Sequence, residues 1–170
     1  MLTLFMSYLE YCSNCRGKNT YSFIDGNDRF HCLNCKTIHY ENPKPTATII
    51  ITNNNKILLA KRAFDPGKGE WGLPGGFIEL NETLFEAAER ELKEETNLDG
   101  QVTRILSTCS HYGTIFGDIL LICVEMRIVD FSPIKAGDDA AELNFFDINN
   151  LPDIAFYCHK KFIDEFKSQH

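Results

Sequence analysis

The sequence predicts an α/β fold: a mixed β-sheet with helices on its faces, preceded by a small cysteine-rich appendage. Three observations carry this. Short β-branched and apolar runs, bounded by Gly, Pro and Asn, recur from residue 46 to residue 147. Two stretches, residues 82–96 and 156–166, read as helices instead. Two Cys-x-x-Cys pairs stand in the first forty residues, upstream of two closely spaced prolines.

Residues 1–40 are polar and cysteine-rich, and Pro43 and Pro45 then favour an extended connector, so a domain boundary is expected between residues 40 and 41. Residues 46–52 and 56–61 are strand-like and flank Asn53, Asn54 and Asn55, which tolerate the positive φ of a tight turn, so a β-hairpin is predicted. Residues 67–76 hold five glycines and Pro74 around Trp71, the composition of a shaped loop with a short strand in its middle. Asn81 is the expected N-cap of a helix over residues 82–96, a stretch free of Gly and Pro and full of Glu, Leu, Ala and Arg. Asn97, able to turn left-handed, is its expected stop. Residues 101–112 and 119–129 read as strands around a turn at 113–117, residues 143–147 as another strand, and residues 156–166 as a closing helix. Strands interrupted by two helices imply the mixed sheet.

Charge and cysteine usage narrow the functional classes. A net charge of -7 argues against a chain whose main task is to hold nucleic acid, because such proteins carry a dominant basic surface. An anionic substrate would need a local positive device such as bound metal. Residues 1–6 have neither the basic start nor the apolar run of a secretory leader, and no stretch reaches the roughly 20 apolar residues that span a bilayer. Seven cysteines, four of them in two close pairs, point to a reducing cytoplasm and metal ligation rather than disulfides.

Cys12, Cys15, Cys32 and Cys35 form two pairs separated by sixteen residues, the spacing of two knuckles that a hairpin brings together as a tetrahedral four-thiolate zinc site. Four protein thiolates leave no open position, so the zinc is expected to be structural, stabilising a segment too short for a core of its own. The competing reading is free or redox thiols. Cys109, Cys123 and Cys158 lie in apolar runs and are expected to fill the core.

At helical spacing Glu91, Glu94 and Glu95 share one face within a turn. Such crowding weakens an isolated helix, yet clustered oxygen ligands are what a hard cation such as Mg2+ requires, and the cation also bridges substrate phosphates. The alternative is a solvated acidic face. Residues 76–98 resemble the Nudix box: Gly76, five residues, Glu82, seven residues, Arg90-Glu91, an aliphatic, any residue, Glu94-Glu95, any residue, a Gly and an aliphatic. Every fixed position is met except the last Gly, where Asn97 stands, and Asn is the next best residue for a left-handed helix end.

The resemblance implies a Nudix-type α/β/α sandwich with a mixed sheet, over residues 41–170, behind a zinc ribbon at residues 1–40. It makes Glu91, Glu94 and Glu95 ligands of Mg2+ or Mn2+, together with the carbonyl of Gly75 or Gly76. It pairs Glu82 with Arg90 in a structural role that holds loop to helix. It places Glu142, just before the strand at 143–147, as a further ligand or base; Asp138 and Asp139 have the alternative role of capping a turn. The implied reaction is cleavage of the pyrophosphate of a nucleoside diphosphate derivative by Mg2+-activated water, with Glu95 or Glu142 removing the proton. Lys61 and Arg62, beside the glycine loop, are candidates to hold phosphate oxygens, Arg62 being preferred over its reading as a solubilising surface charge.

Together with the ribbon, the chain resembles the Nudix proteins that carry an amino-terminal four-cysteine zinc ribbon, among them the NADH pyrophosphatases and a shorter group linked to FAD pyrophosphate cleavage. The proline- and tryptophan-rich segment that follows the box in NADH pyrophosphatases is missing from residues 101–117, as is the proline usual there in ADP-ribose hydrolases, although residues 137–140 and 151–156 resemble some of the latter. FAD and ADP-ribose are therefore the leading substrates, with NADH behind them. The expected partners are that small-molecule nucleotide and, as an option left open, a second copy in a homodimer, with no membrane and no nucleic acid. A different class remains in view: an inactive Nudix and zinc-ribbon protein that binds nucleotides or nucleic acid as a regulator.

Overall fold

The structure is a computed structural model in which residues 9–169 are described; the reading of residues 1–6 as lacking a leader lies outside the described residues. The chain divides into two compact units, Met1–Asn42 and Pro43–His170.

The first unit is a three-stranded antiparallel sheet in the order β1 (Asn19–Ile24), β2 (Asn27–Cys32), β3 (Ile38–His39). Asp25 and Gly26, both at positive φ, make the two-residue turn between β1 and β2, as a hairpin matched to strand twist requires. Each cysteine pair opens a tight knuckle: the amide of Arg16 donates to the Cys12 carbonyl, and that of Lys36 to Cys32. Arg16 and Lys36 both turn left-handed at φ 61° and 63°. Cys12 and Cys32 are the only buried apolar side chains among the described residues of this unit, so the apolar effect alone cannot hold it together.

The second unit contains β4 (Lys44–Asn53), β5 (Lys56–Arg62), β6 (Trp71–Gly72), β7 (Gly75–Phe77), α1 (Leu84–Thr96), β8 (Gly100–Thr114), β9 (Gly117–Ile128), β10 (Ala140–Asp147) and α2 (Tyr157–Ser168). Its main sheet runs β10-β5-β4-β9-β8, with β4 and β9 parallel and the other neighbours antiparallel. Consecutive apolar residues of β4 and β5 explain why the sheet is covered on both sides. Ile49, Ile51 and Leu58 pack with Ala87, Ala88 and Leu92 of α1. Ile50, Ile57 and Leu59 pack with Phe162, Ile163 and Phe166 of α2. Cys109 and Cys158 lie in that second layer with Cys123, as expected of core fillers.

Three local expectations change. The predicted hairpin of β4 and β5 pairs only at Thr52 with Ile57 and Asn53 with Lys56. Beyond that the strands splay, and the glycine loop fills the wedge: β6 pairs with β5, and β7 with β4. The helix begins two residues later than expected. Asn81 is itself left-handed at φ 69°, and the N-cap is Thr83, in a reciprocal capping box with Glu86 that satisfies two otherwise orphaned donors. The stop is Asn97, at φ 57°. Finally, β10 starts at Ala140, so Glu142 stands inside the strand rather than before it, opposite Lys61.

Candidate functional site

In the first unit the Sγ atoms of Cys12, Cys15, Cys32 and Cys35 all lie within 4.8 Å of one another. The closest pairs are Cys12 with Cys35 at 3.6 Å and Cys15 with Cys32 at 3.4 Å. Thiolates about 2.3 Å from a tetrahedral zinc stand roughly 3.8 Å apart, so the cluster fits that ion. The Thr37 hydroxyl, 3.1 Å from Cys35 Sγ, and its amide hold the Cys35 thiol down, at about 5. Asn14 and Asn34 side-chain amides approach Cys35 and Cys15 at 3.7 and 3.6 Å. At Cys35 the donors match a thiolate, the form that binds metal. Among the described residues no other group of three or more His, Cys, Asp or Glu ligand atoms closes up in this way.

In the second unit α1 presents its glutamates to the glycine loop at graded depth. Glu95 is only 9% exposed, the Glu91 side chain 12%, and the Glu94 side chain 43%. Glu95 Oε2 accepts the Gly75 amide at 3.3 Å. Burial pushes the Glu95 carboxyl up to about 8, with the nearby Glu91 charge adding to it, and burial raises Glu91 as well. The loop comes this close only because it lacks side chains. Gly75 has φ +138°, and a Cβ there would run into the Ala47 carbonyl; a Cβ on Gly76 would collide with the Glu91 carboxylate.

Arg90 ties loop and helix together more extensively than its expected pairing with Glu82. Its Nε and Nη2 donate to the two Glu82 oxygens at 3.1 and 2.7 Å, and Nη2 also donates to the Phe77 carbonyl at 3.0 Å. Its Nη1 reaches Glu91 at 2.7 Å and Glu94 at 3.0 Å. Hydrogen bonds from Arg90, and then from the Glu79 amide, hold Glu82 below the usual carboxylate range. Glu91 and Glu94 thus share one guanidinium, while Glu95 sits apart on the Gly75 amide. Carboxylate oxygens are the donor type that a hard cation takes.

The remaining candidates separate. Glu142 forms an exposed ion pair with Lys61 at 3.3 Å. Arg62 donates Nε to the Pro66 carbonyl at 2.6 Å and lays its guanidinium over the Phe156 ring, 5.0 Å from the centroid. Asp138 and Asp139 are brought towards α1 by a connection no sequence signal announces. The amides of Lys135 and Gly137 cap the carbonyls of Thr96 and Glu95, and Asn97 Nδ2 donates to the Pro133 carbonyl. The Asp138 charge helps to raise Glu91, and that of Asp139 helps to raise Glu95. Sequence reasoning favoured Glu142 over these two.

Residues 42–166 match the family described as NUDIX domain. The chain is 43% identical over 128 residues to the ADP-ribose pyrophosphatase of Methanocaldococcus jannaschii, covering 75% of each protein. It is 29% identical over 154 residues to the NAD-capped RNA hydrolase NudC of Vibrio atlanticus, covering 86% of this chain and about half, 52%, of that one. A NUDIX hydrolase from Nitrosomonas europaea superposes with a TM-score of 0.78 at 32% identity, covering 94% of this chain and 93% of the other. The chain therefore belongs to the Nudix family and is a pyrophosphohydrolase of nucleotide derivatives.

Proposed function

We propose that this chain hydrolyses the pyrophosphate bond of ADP-ribose, with FAD as the next candidate, using Mg2+ or Mn2+ held by Glu91, Glu94, Glu95 and the Gly75 carbonyl. The observation that carries the reaction is the buried Glu95 bonded to the Gly75 amide beside Glu91. The similarity to an ADP-ribose pyrophosphatase over three quarters of both chains supports the substrate. When bound, the cation supplies charge neutralisation at the phosphate oxygens and an acidified water.

The chain's own residues supply placement and proton removal. Arg90 fixes the helix against the loop, so that the carboxylates keep one spacing. Arg62, at the end of β5, is the proposed contact to phosphate oxygens, since a guanidinium offers a planar fork of donors. The proton falls to Glu95 or Glu142. The depth of Glu95 and the engagement of Glu142 by Lys61 favour Glu95. In this reading residues 1–40 are a structural zinc ribbon and residues 41–170 the hydrolase. Four thiolates kept reduced suit a cytoplasmic location.

A panel of ADP-ribose, FAD and NADH, assayed for nucleoside monophosphate release with and without Mg2+, tests the proposal. ADP-ribose is expected to give the highest kcat/KM, with AMP as product and no turnover without the cation. Preference for NADH by tenfold or more, on the order of 1.4 kcal/mol, would transfer the assignment to NADH, the third candidate. Binding without hydrolysis of any of the three would favour the regulator.

A further inference from the structure

We infer that His159 of α2 is a positioning residue of the hydrolytic site: its Nδ1 accepts the Leu73 amide and sets the glycine loop against the carboxylate helix. The inference rests on the proposed reading of Glu95 and Gly75. The segment 71–77 is fastened at successive points. Gly72 pairs with Ala60 of β5, the Pro74 carbonyl accepts the Ile49 amide at 2.9 Å, and the Gly75 amide donates to Glu95. Between β6 and β7, the Leu73 amide has no sheet neighbour to receive it. A buried amide left without an acceptor costs about as much as a lost hydrogen bond, and Leu73 is only 5% exposed.

His159 supplies the missing acceptor from across the sheet face, with Nδ1 3.0 Å from the Leu73 nitrogen. An accepting Nδ1 carries no proton, so the neutral ring bears its hydrogen on Nε2. Burial favours that neutral form and pushes the group down to about 3. The fit is close on the loop side too, because a Cβ on Gly72 would stand 3.0 Å from Nδ1. The Phe156 ring lies edge-on to His159, with centroids 5.2 Å apart, and it also contacts the His111 ring and the Arg62 guanidinium. One turn of α2 thereby registers both the glycine loop and the proposed phosphate contact. Leu73 is two residues from Gly75, so a shift at the first moves the amide that Glu95 accepts.

The test compares His159→Leu, which keeps bulk but loses the acceptor, with His159→Asn, whose Oδ1 lies near the position of Nδ1. His159→Leu is expected to lower kcat about tenfold with KM nearly unchanged, since misplacing groups that act at the reacting atoms costs rate rather than ground-state binding. Its affinity for Mn2+ alone, read by electron paramagnetic resonance, should weaken, and the Leu73 amide should exchange hydrogen faster. His159→Asn should recover kcat to within about threefold. Gly72→Ala is a second, independent disturbance, and should lower kcat as His159→Leu does. Wild-type kcat and Mn2+ affinity in a folded His159→Leu overturn the inference, as does an equal loss in Leu and Asn. If His159→Leu does not fold, Gly72→Ala decides: wild-type kcat there overturns it. Glu95→Gln runs alongside: unchanged turnover in that variant defeats the reading of the site, whereas loss there beside a normal His159→Leu defeats only the positioning role.

Discussion

Glu95, the most buried carboxylate of α1, accepts the amide of Gly75, the residue whose backbone runs so close to Ala47 that no side chain fits. This single contact joins helix, loop and central strand. It makes the glutamate face sensitive to chemistry at one end and to packing at the other.

Glu94→Gln or Glu95→Gln should leave the fold intact and lower turnover by at least about a hundredfold, because each removes a charge that anchors a cation at the reacting phosphate. Circular dichroism and steady-state kinetics at saturating Mg2+ check this. Near-unchanged turnover in both variants would refute the assignment of the glutamates as metal ligands.

Gly75→Ala should be far more harmful than Gly113→Ala, although both glycines have positive φ. Gly113, at φ +65°, faces open space, so only the backbone penalty applies, about 1 kcal/mol. At Gly75 the added methyl also strikes β4, and forcing strands apart in a packed core adds roughly 1–3 kcal/mol. Urea midpoints for the two variants provide the comparison; equal midpoints would contradict the close approach.

His159 predicts an acid-side loss of stability. Its folded pKa is about 3, depressed from 6.5 by burial first and by the charges of Arg62 on β5 and His111 on β8. The unfolded chain therefore takes up the proton first. The stabilisation is complete above about pH 6.5 and is lost as pH falls towards 3, at up to about 1.4 kcal/mol per pH unit. His159→Asn removes the titrating group, so unfolding free energies of the two proteins, measured from pH 7 to pH 4, should converge as pH falls. Parallel curves would count against a buried neutral histidine.

Zinc and magnesium should act separately. Thiolates select zinc and carboxylates select magnesium, and the cysteines and glutamates belong to different compact units. About one tightly held zinc per chain is expected, and Cys32→Ser with Cys35→Ser should abolish it. Stripping zinc should loosen residues 9–42 to protease, because ligand binding and folding of a coreless segment are one event. Removing magnesium should stop hydrolysis without unfolding. Zinc removal that abolished hydrolysis while protease resistance stayed unchanged would make zinc catalytic.

Much of this was legible in the chain because it depends on short-range spacing. The two Cys-x-x-Cys knuckles, the helix carrying Glu91, Glu94 and Glu95, the left-handed Asn97 and the apolar runs of β4 and β5 are local patterns, and hydrogen-bond geometry within a few residues settles them. Local pattern was weaker at the helix start, where Thr83 with Glu86 forms a better cap than Asn81 because the box satisfies two donors at once. What only the tertiary structure decided depends on residues far apart in sequence. Nothing near residue 53 says that β4 and β5 pair for two residues and then splay, since a glycine loop some twenty residues later competes for the same backbone donors and acceptors. Nothing near Asp138 says that it returns to the helix end, or near His159 that its ring meets the Leu73 amide, 86 residues away. Buried donors must find acceptors wherever the packed chain places them, and that placement is a property of the whole sheet rather than of any window along the sequence.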